Sequence, residues 1–191
     1  MPRNFMFTKE EIITAALELT RESGMSAVTA RSLGAKLGSS SKPIFSLFRS
    51  MEDVQRAIIE AANDLYQGYM KKDMESGKYP PYKAIGISYI RFAKEEKELF
   101  KLLFMRDRSQ EEIIKNTEEN KPVIALIQKD TGLSAESAAL LNLEMWIFAH
   151  GIATMLATSY LKLSWDDEFI SKMLTDGYQG LKCRHCEGNV K

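Results

Sequence analysis

The sequence predicts an all-α fold in two parts, a small N-terminal three-helix head and a larger C-terminal helical bundle. Three observations predict it. Apolar residues recur at helical spacing along most of the chain, and no convincing stretch alternates with the period of a strand. The five prolines, at positions 2, 43, 80, 81 and 122, sit at plausible helix boundaries. A hydroxyl residue that starts a helix and a glycine that stops it also occur twice in quick succession, at Thr8 with Gly24 and at Thr29 with Gly38.

The first helix begins at Thr8, which has capping-box spacing to Glu11, and Phe7 and Ile12 stand in the positions of a hydrophobic staple. Ile12, Ala16 and Leu19, with Ile13 and Leu17 beside them, form its apolar face. Thr29 opens the second helix between Val28 and Leu33, and Leu33 and Leu37 face inward. A third helix starts among Ser39 to Pro43, where proline suits the first turn because its missing N–H has no helical partner there. Ile44, Phe45, Leu47 and Phe48 are its expected buried side. Ser50 then caps a longer helix from Met51 toward Met74, with Val54, Ile58, Ala61, Ala62, Leu65 and Tyr69 as its stripe.

Ser76 to Pro81 is the clearest internal boundary. Helices are expected beyond it at about 82–95, 96–106, 110–118, 122–130, 134–160 and 166–181. The chain thus divides into a head at 1–50, a connecting helix at 51–75, a C-terminal domain at 76–182 and a polar tail at 183–191.

Composition is that of an ordinary soluble domain, 45% apolar and 27% charged, with a formal net charge of zero. The charge is unevenly placed. Residues 1–50 carry seven Lys or Arg against four acids, a balance of +3, so the other 141 residues sum to −3. A basic head on an acidic body suits an anionic partner at the N-terminal end. The start MPRNFMFTKE lacks the apolar run of a signal peptide, and the two cysteines imply no disulfide framework, so a reducing cytoplasm is the expected location. Ala138 to Leu161 is the longest apolar stretch, but Asn142, Glu144 and His150 within it favour a buried helix over a membrane span.

Two short helices joined by a glycine-containing turn, behind a longer first helix, make a helix-turn-helix. In that motif the last helix enters the major groove of DNA while the one before it crosses the backbone. Groove readout needs small or polar side chains at the leading turn, which Ser39, Ser40, Ser41, Lys42 and Ser46 supply. The helix starts at Thr29 and Ser40 are potential phosphate contacts.

The block from Phe7 to Leu65 resembles the N-terminal domain of the TetR family of bacterial transcription regulators. The resemblance rests on Ile12 to Leu19, Gly24, Val28-Thr29 with Leu33-Gly34-Ala35, Gly38, Pro43 to Phe48, and Ser50 to Val54. It implies a homodimer that binds a palindromic site on double-stranded DNA through Thr29, Ser39, Ser40, Ser41, Lys42, Pro43, Phe45, Ser46 and Arg49. Two positions depart from the family pattern, which commonly has Tyr where Phe45 stands and Lys where Met51 stands, both used on phosphates. Lys42 and Arg49 are close enough to replace that charge, and are equally readable as solvated surface cations.

Trp146-x-x-x-His150-Gly151, with Phe92-Ala93, Leu99-Phe100 and Leu102-Leu103-Phe104 upstream, looks like the Trp-His-Gly signature of one ligand-domain subgroup of that family. The resemblance implies dimerisation through the last two long helices and a pocket for a small effector, with Phe92, Phe100, Phe104, Trp146, His150 and Met155 as pocket candidates. Trp146 and His150 lie one helical turn apart, and Thr154 and Thr158 extend their stripe. Core is the first reading for Trp146 and His150, and Phe92, Phe100, Phe104 and Met155 are likewise core or pocket. Ala149, Ala153 and Ala157 form an i, i+4 series that lets a second helix approach closely, and with Phe169 and Met173 they are the expected dimer interface.

Cys183, His185 and Cys186 are competent zinc ligands, yet a closed site needs four, so a frayed tail without metal is expected. No nucleophile stands at a telling distance from a base, no glycine-rich loop cradles phosphate and no acids cluster, so neither an enzyme nor a cofactor is expected. The resulting expectation is a dimeric regulator, acting as a repressor released from DNA by a small effector. The rival is a helical interaction protein that has lost sequence-specific DNA recognition.

Overall fold

The computed structural model describes residues 6–107, 120–160 and 166–187. Among these residues the regular structure is helical throughout, as the periodicity predicts. The elements are α1 (Lys9–Ser23), a short 3-10 turn (Met25–Ala27), α2 (Ala30–Lys36), α3 (Lys42–Leu47), α4 (Met51–Glu75), α5 (Pro81–Glu95), α6 (Lys97–Phe104), α7 (Lys121–Thr131), α8 (Ala135–Ala157) and α9 (Asp167–Glu187). The helix expected at 110–118 lies outside the described residues.

The chain forms two compact units, one drawn from Met1–Gly68 and Glu95–Arg106, the other from Tyr69–Lys94 and Asp107–Lys191. This division differs from the one expected in chain order. Residues 95–106 fold with the head because α6 packs against α1, with Leu99 and Phe100 fully buried. The Arg21 guanidinium also clamps both oxygens of Glu96, at 2.7 and 2.9 Å.

In the first unit the predicted starts and stops are present. The Thr8 hydroxyl accepts from Glu11 N at 3.1 Å while Glu11 accepts from Thr8 N at 2.7 Å, so two free helix-end donors are satisfied reciprocally. Thr29 caps α2 in the same way with Ser32. Gly24 and Gly38 have φ of 76° and 65°, a backbone region where glycine has no steric cost. Ile12, Ala16, Leu33, Ile44, Val54 and Ile58 meet in the core. The inward face of α1 also includes Ala15 and Thr20, whose hydroxyl donates to Ala16 O at 2.8 Å. Tyr66 and Phe104 meet edge to face at 5.3 Å, and burial pushes the Tyr66 hydroxyl up to about 12.

In the second unit α8 packs against α7 and α9. Among the described residues α8 alone is long and apolar enough to cross a membrane, and it buries Ala138, Leu141, Met145, Ala149, Ile152, Ala153, Leu156 and Ala157. Tyr69 meets Phe92 edge to face at 5.4 Å, and the Arg91 guanidinium lies over the Tyr69 ring while bonding Asp73 at 2.9 Å. The polar tail begins later than expected, because residues 183–187 continue α9. Partners on other helices hold that last turn. Glu144 takes an ion pair from Arg184 and a 2.8 Å hydrogen bond with His185 Nε2, and Asp130 takes Lys182 at 2.9 Å.

Candidate nucleic-acid interface

The α2–turn–α3 segment is the head's outward feature, and local chemistry fixes it. α2 stops at Lys36, Leu37 caps it and Gly38 reverses the chain. Ser39 N donates back to Gly34 O at 2.9 Å, which ties the turn to α2. Gly34 is what allows the approach, since a Cβ there would meet the backbone of Ser39, Ser40 and Ser41 at 3.0 to 3.1 Å. Ile44 is fully buried and Phe48 nearly so, so α3 is anchored by two side chains.

The structure disposes the nine candidates as follows. Lys42, Phe45 and Ser46 share the exposed face of α3, and Arg49 is exposed just past its end. Ser40 is exposed in the turn, while Ser39, Ser41 and Pro43 are half-buried. Several hydroxyls are already engaged. Thr29 accepts from Ser32 N at 3.1 Å, Ser46 donates to Pro43 O at 2.6 Å, and Ser39 donates to the Met6 sulfur at 3.6 Å. Ser41 stands at the helix start without a capping bond from its side chain. Phe45 corrects the sequence reading of α3. It was expected on the buried side, but it is 46% exposed because Ile44 and Phe48 take the two inward positions.

The electrostatics sort the head's cations. Lys36 is neutralised between Glu18 at 3.2 Å and Glu22 at 2.8 Å, and these bonds hold its ammonium pKa above the ordinary lysine value. Arg21 is committed to Glu96, and Lys9 lies over the Phe48 ring at 5.7 Å. Arg31, Lys42 and Arg49 have no ion-pair partner among the described residues, and all three are exposed. Arg31, in the first turn of α2, is the residue that reading the sequence missed. Its one signal was the charge count, which could not separate it from the tied Lys36.

The effector candidates fall in both units. Phe100 and Phe104 meet at 5.2 Å with their rings tilted by 44° in the first, where Phe100 is fully buried. Phe92, Trp146, His150 and Met155 are in the second, with Phe92 fully buried and Met155 exposed. The geometry there centres on His150. Its ring stacks on Trp146 at 5.1 Å and 15°, and its Nδ1 shares a 2.8 Å hydrogen bond with the hydroxyl of buried Tyr89. Burial lowers the His150 pKa below the ordinary histidine value, which favours the neutral ring. Tyr89 was absent from the sequence candidates because nothing local links it to His150.

The small-residue series proves to be core. Ala149, Ala153 and Ala157 are 6%, 0% and 2% exposed, so they face their own unit and not a second chain. The exposed apolar positions of α8 are Leu140, Leu143, Trp146, Ile147 and Met155. On α9, Phe169 is exposed and Met173 half-buried. Among the described residues no three His, Cys, Asp or Glu side chains are grouped as metal ligands, Cys183 and Cys186 included.

Residues 82–176 match the family model for the tetracyclin repressor-like C-terminal domain. Several solved structures share the fold over nearly all of both chains. A protein of unknown function from Rhodococcus sp. RHA1 has a TM-score of 0.66 at 16% identity, covering 96% of this chain and 98% of that one. A transcriptional regulator from the same organism has 0.60 at 14% identity, over 92% and 96%. A protein assigned to the TetR family of transcriptional regulators, from Vibrio parahaemolyticus, has 0.57 at 15% identity, over 90% and 96%. No curated protein matches the sequence at a significant level. Residues 82–176 thus resemble a tetracyclin repressor-like C-terminal domain, and the chain shares its fold over nearly its whole length with these solved structures.

Proposed function

We propose that the protein is a homodimeric repressor that binds a palindromic operator through its helix-turn-helix and is released by a small effector held in the C-terminal unit. One observation carries the DNA-binding part of this reading. Arg31, Lys42 and Arg49, which have neither an acidic partner nor a ring beneath them among the described residues, all lie between the start of α2 and the start of α4. Free cations on a motif shaped for the major groove are what a polyanion requires. They also weigh against the rival reading, since Phe45 and Met51 lack the groups for two phosphate contacts but three cations remain. In this reading Ser40 and Ser41 face base edges or sugars, and Thr29 keeps its capping role.

For the dimer, the exposed apolar residues of α8 from Leu140 to Ile147, together with exposed Phe169 on α9, are the surface that two copies would cover. For the effector, the Trp146–His150–Tyr89 group supplies an aromatic wall with one polar centre, a combination common in small-molecule sites.

The test is selection from a random duplex library with the full chain at low salt. Enrichment of one palindrome is expected. With that site in hand, Arg31→Ala, Lys42→Ala and Arg49→Ala sort by salt slope, which falls by about one for each phosphate contact removed. No enrichment from a folded dimer overturns the proposal.

A further inference from the structure

We infer that Phe45 reads the 5-methyl group of a thymine in the operator, an inference that rests on the DNA-binding reading above. Phe45 occupies the exposed face of α3 beside Lys42 and Ser46, with nearly half of its surface uncovered. A phenyl ring has neither donor nor acceptor, so it takes no hydrogen bond from the base edges and makes no bond to a phosphate. Across the major groove the apolar feature presented by base pairs is the thymine methyl group.

The neighbouring residues sharpen the assignment. Lys42, one turn before Phe45, and Arg49, beyond the helix, bracket the ring with charge suited to the phosphates on either side. Ser46 spends its hydroxyl hydrogen on Pro43 O at 2.6 Å, so it offers no donor to a base while that bond stands. Ile44, the adjacent apolar side chain, is fully buried and unavailable. The middle of the reading face is therefore apolar, and its specificity is for a methyl group.

The experiment uses the full chain and the palindrome enriched in the selection above. Each thymine is replaced in turn, in both half-sites, by deoxyuridine, which lacks only the methyl group. Wild-type affinity is expected to fall at one position by about fourfold per half-site, the worth of one buried carbon. Phe45→Ala is expected to bind the thymine and deoxyuridine duplexes alike, and because about half of the ring is covered its thermal melt is recorded alongside to show that the variant is folded at the binding temperature. Wild type that tolerates deoxyuridine everywhere overturns the inference while leaving operator binding intact. So does a Phe45→Ala variant that keeps the discrimination. Failure of the selection itself strikes the DNA-binding reading instead, and this inference with it.

Discussion

Gly34 sets how closely the turn of the head lies on α2, and its environment leaves no slack. The atoms a Cβ would meet, at 3.0 to 3.1 Å, are backbone atoms of Ser39 to Ser41 and cannot rotate away as a side chain would. Gly34→Ala is expected to destabilise the protein by about 1–3 kcal/mol, the usual cost of overpacking. A fall of several degrees in the thermal midpoint, together with weaker operator binding, would bear this out. An unchanged midpoint would show that the turn shifts freely and that its angle to α2 is not fixed here. Reading the sequence found Gly34 as part of a pattern but could not see which backbone crosses it. The same limit applies to charge. Lys36 and Lys42 look alike in sequence, and only the fold brings Glu18 and Glu22 to one and leaves the other uncompensated.

Among the elements, α8 was the hardest to orient. It is apolar on nearly every face, so its periodicity carried no phase. Sequence reading put Ala149, Ala153 and Ala157 on the dimer face, whereas packing against α7 and α9 buries them and leaves Leu140, Leu143 and Ile147 exposed. Gly177 on α9 marks how close that packing is, since a Cβ there would meet the Phe148 ring at 3.0 Å. The end of α9 was hidden for a related reason. Cys183 to Cys186 reads as polar tail, but its helix is held by Glu144 and Asp130, some forty to fifty residues away in sequence. The exposed stripe supports a prediction at this scale. Ile147 is 57% exposed, so Ile147→Glu leaves the fold of one chain intact while placing a charge in the proposed dimer surface. Light scattering is expected to show a monomer for Ile147→Glu. Ala149→Leu instead overpacks the core and is expected to lower the thermal midpoint. A dimeric mass for Ile147→Glu would mean that α8 does not form the interface.

For the molecule as a whole, the question is how an event in one unit reaches the other. The chain passes between the units three times, after Gly68, after Lys94 and after Arg106, and the first passage lies inside the continuous helix α4. The start of α4 follows α3 directly, its N-terminal side fixed by Ser50 and Asp53, and its last turns belong to the second unit. In the proposed regulator this helix is the transmitter, and by linkage DNA must weaken effector binding by the factor by which effector weakens DNA binding. The dividing point carries a glycine in mid-helix, which costs about 0.5–1 kcal/mol relative to alanine. Packing does not call for it, because a Cβ at position 68 would have no atom within 4 Å. Local freedom in α4 is then the property that Gly68 supplies. Gly68→Ala is expected to raise the thermal midpoint by about 1–4 °C and, by stiffening α4, to change operator affinity without touching any residue of the DNA-reading face. Melting and operator titration on the same preparation check both halves. A higher midpoint with unchanged operator affinity would remove α4 flexibility from the coupling. A lower midpoint would mean that Gly68 is needed for space against a second chain, and the transmitter would have to be sought at the other two passages.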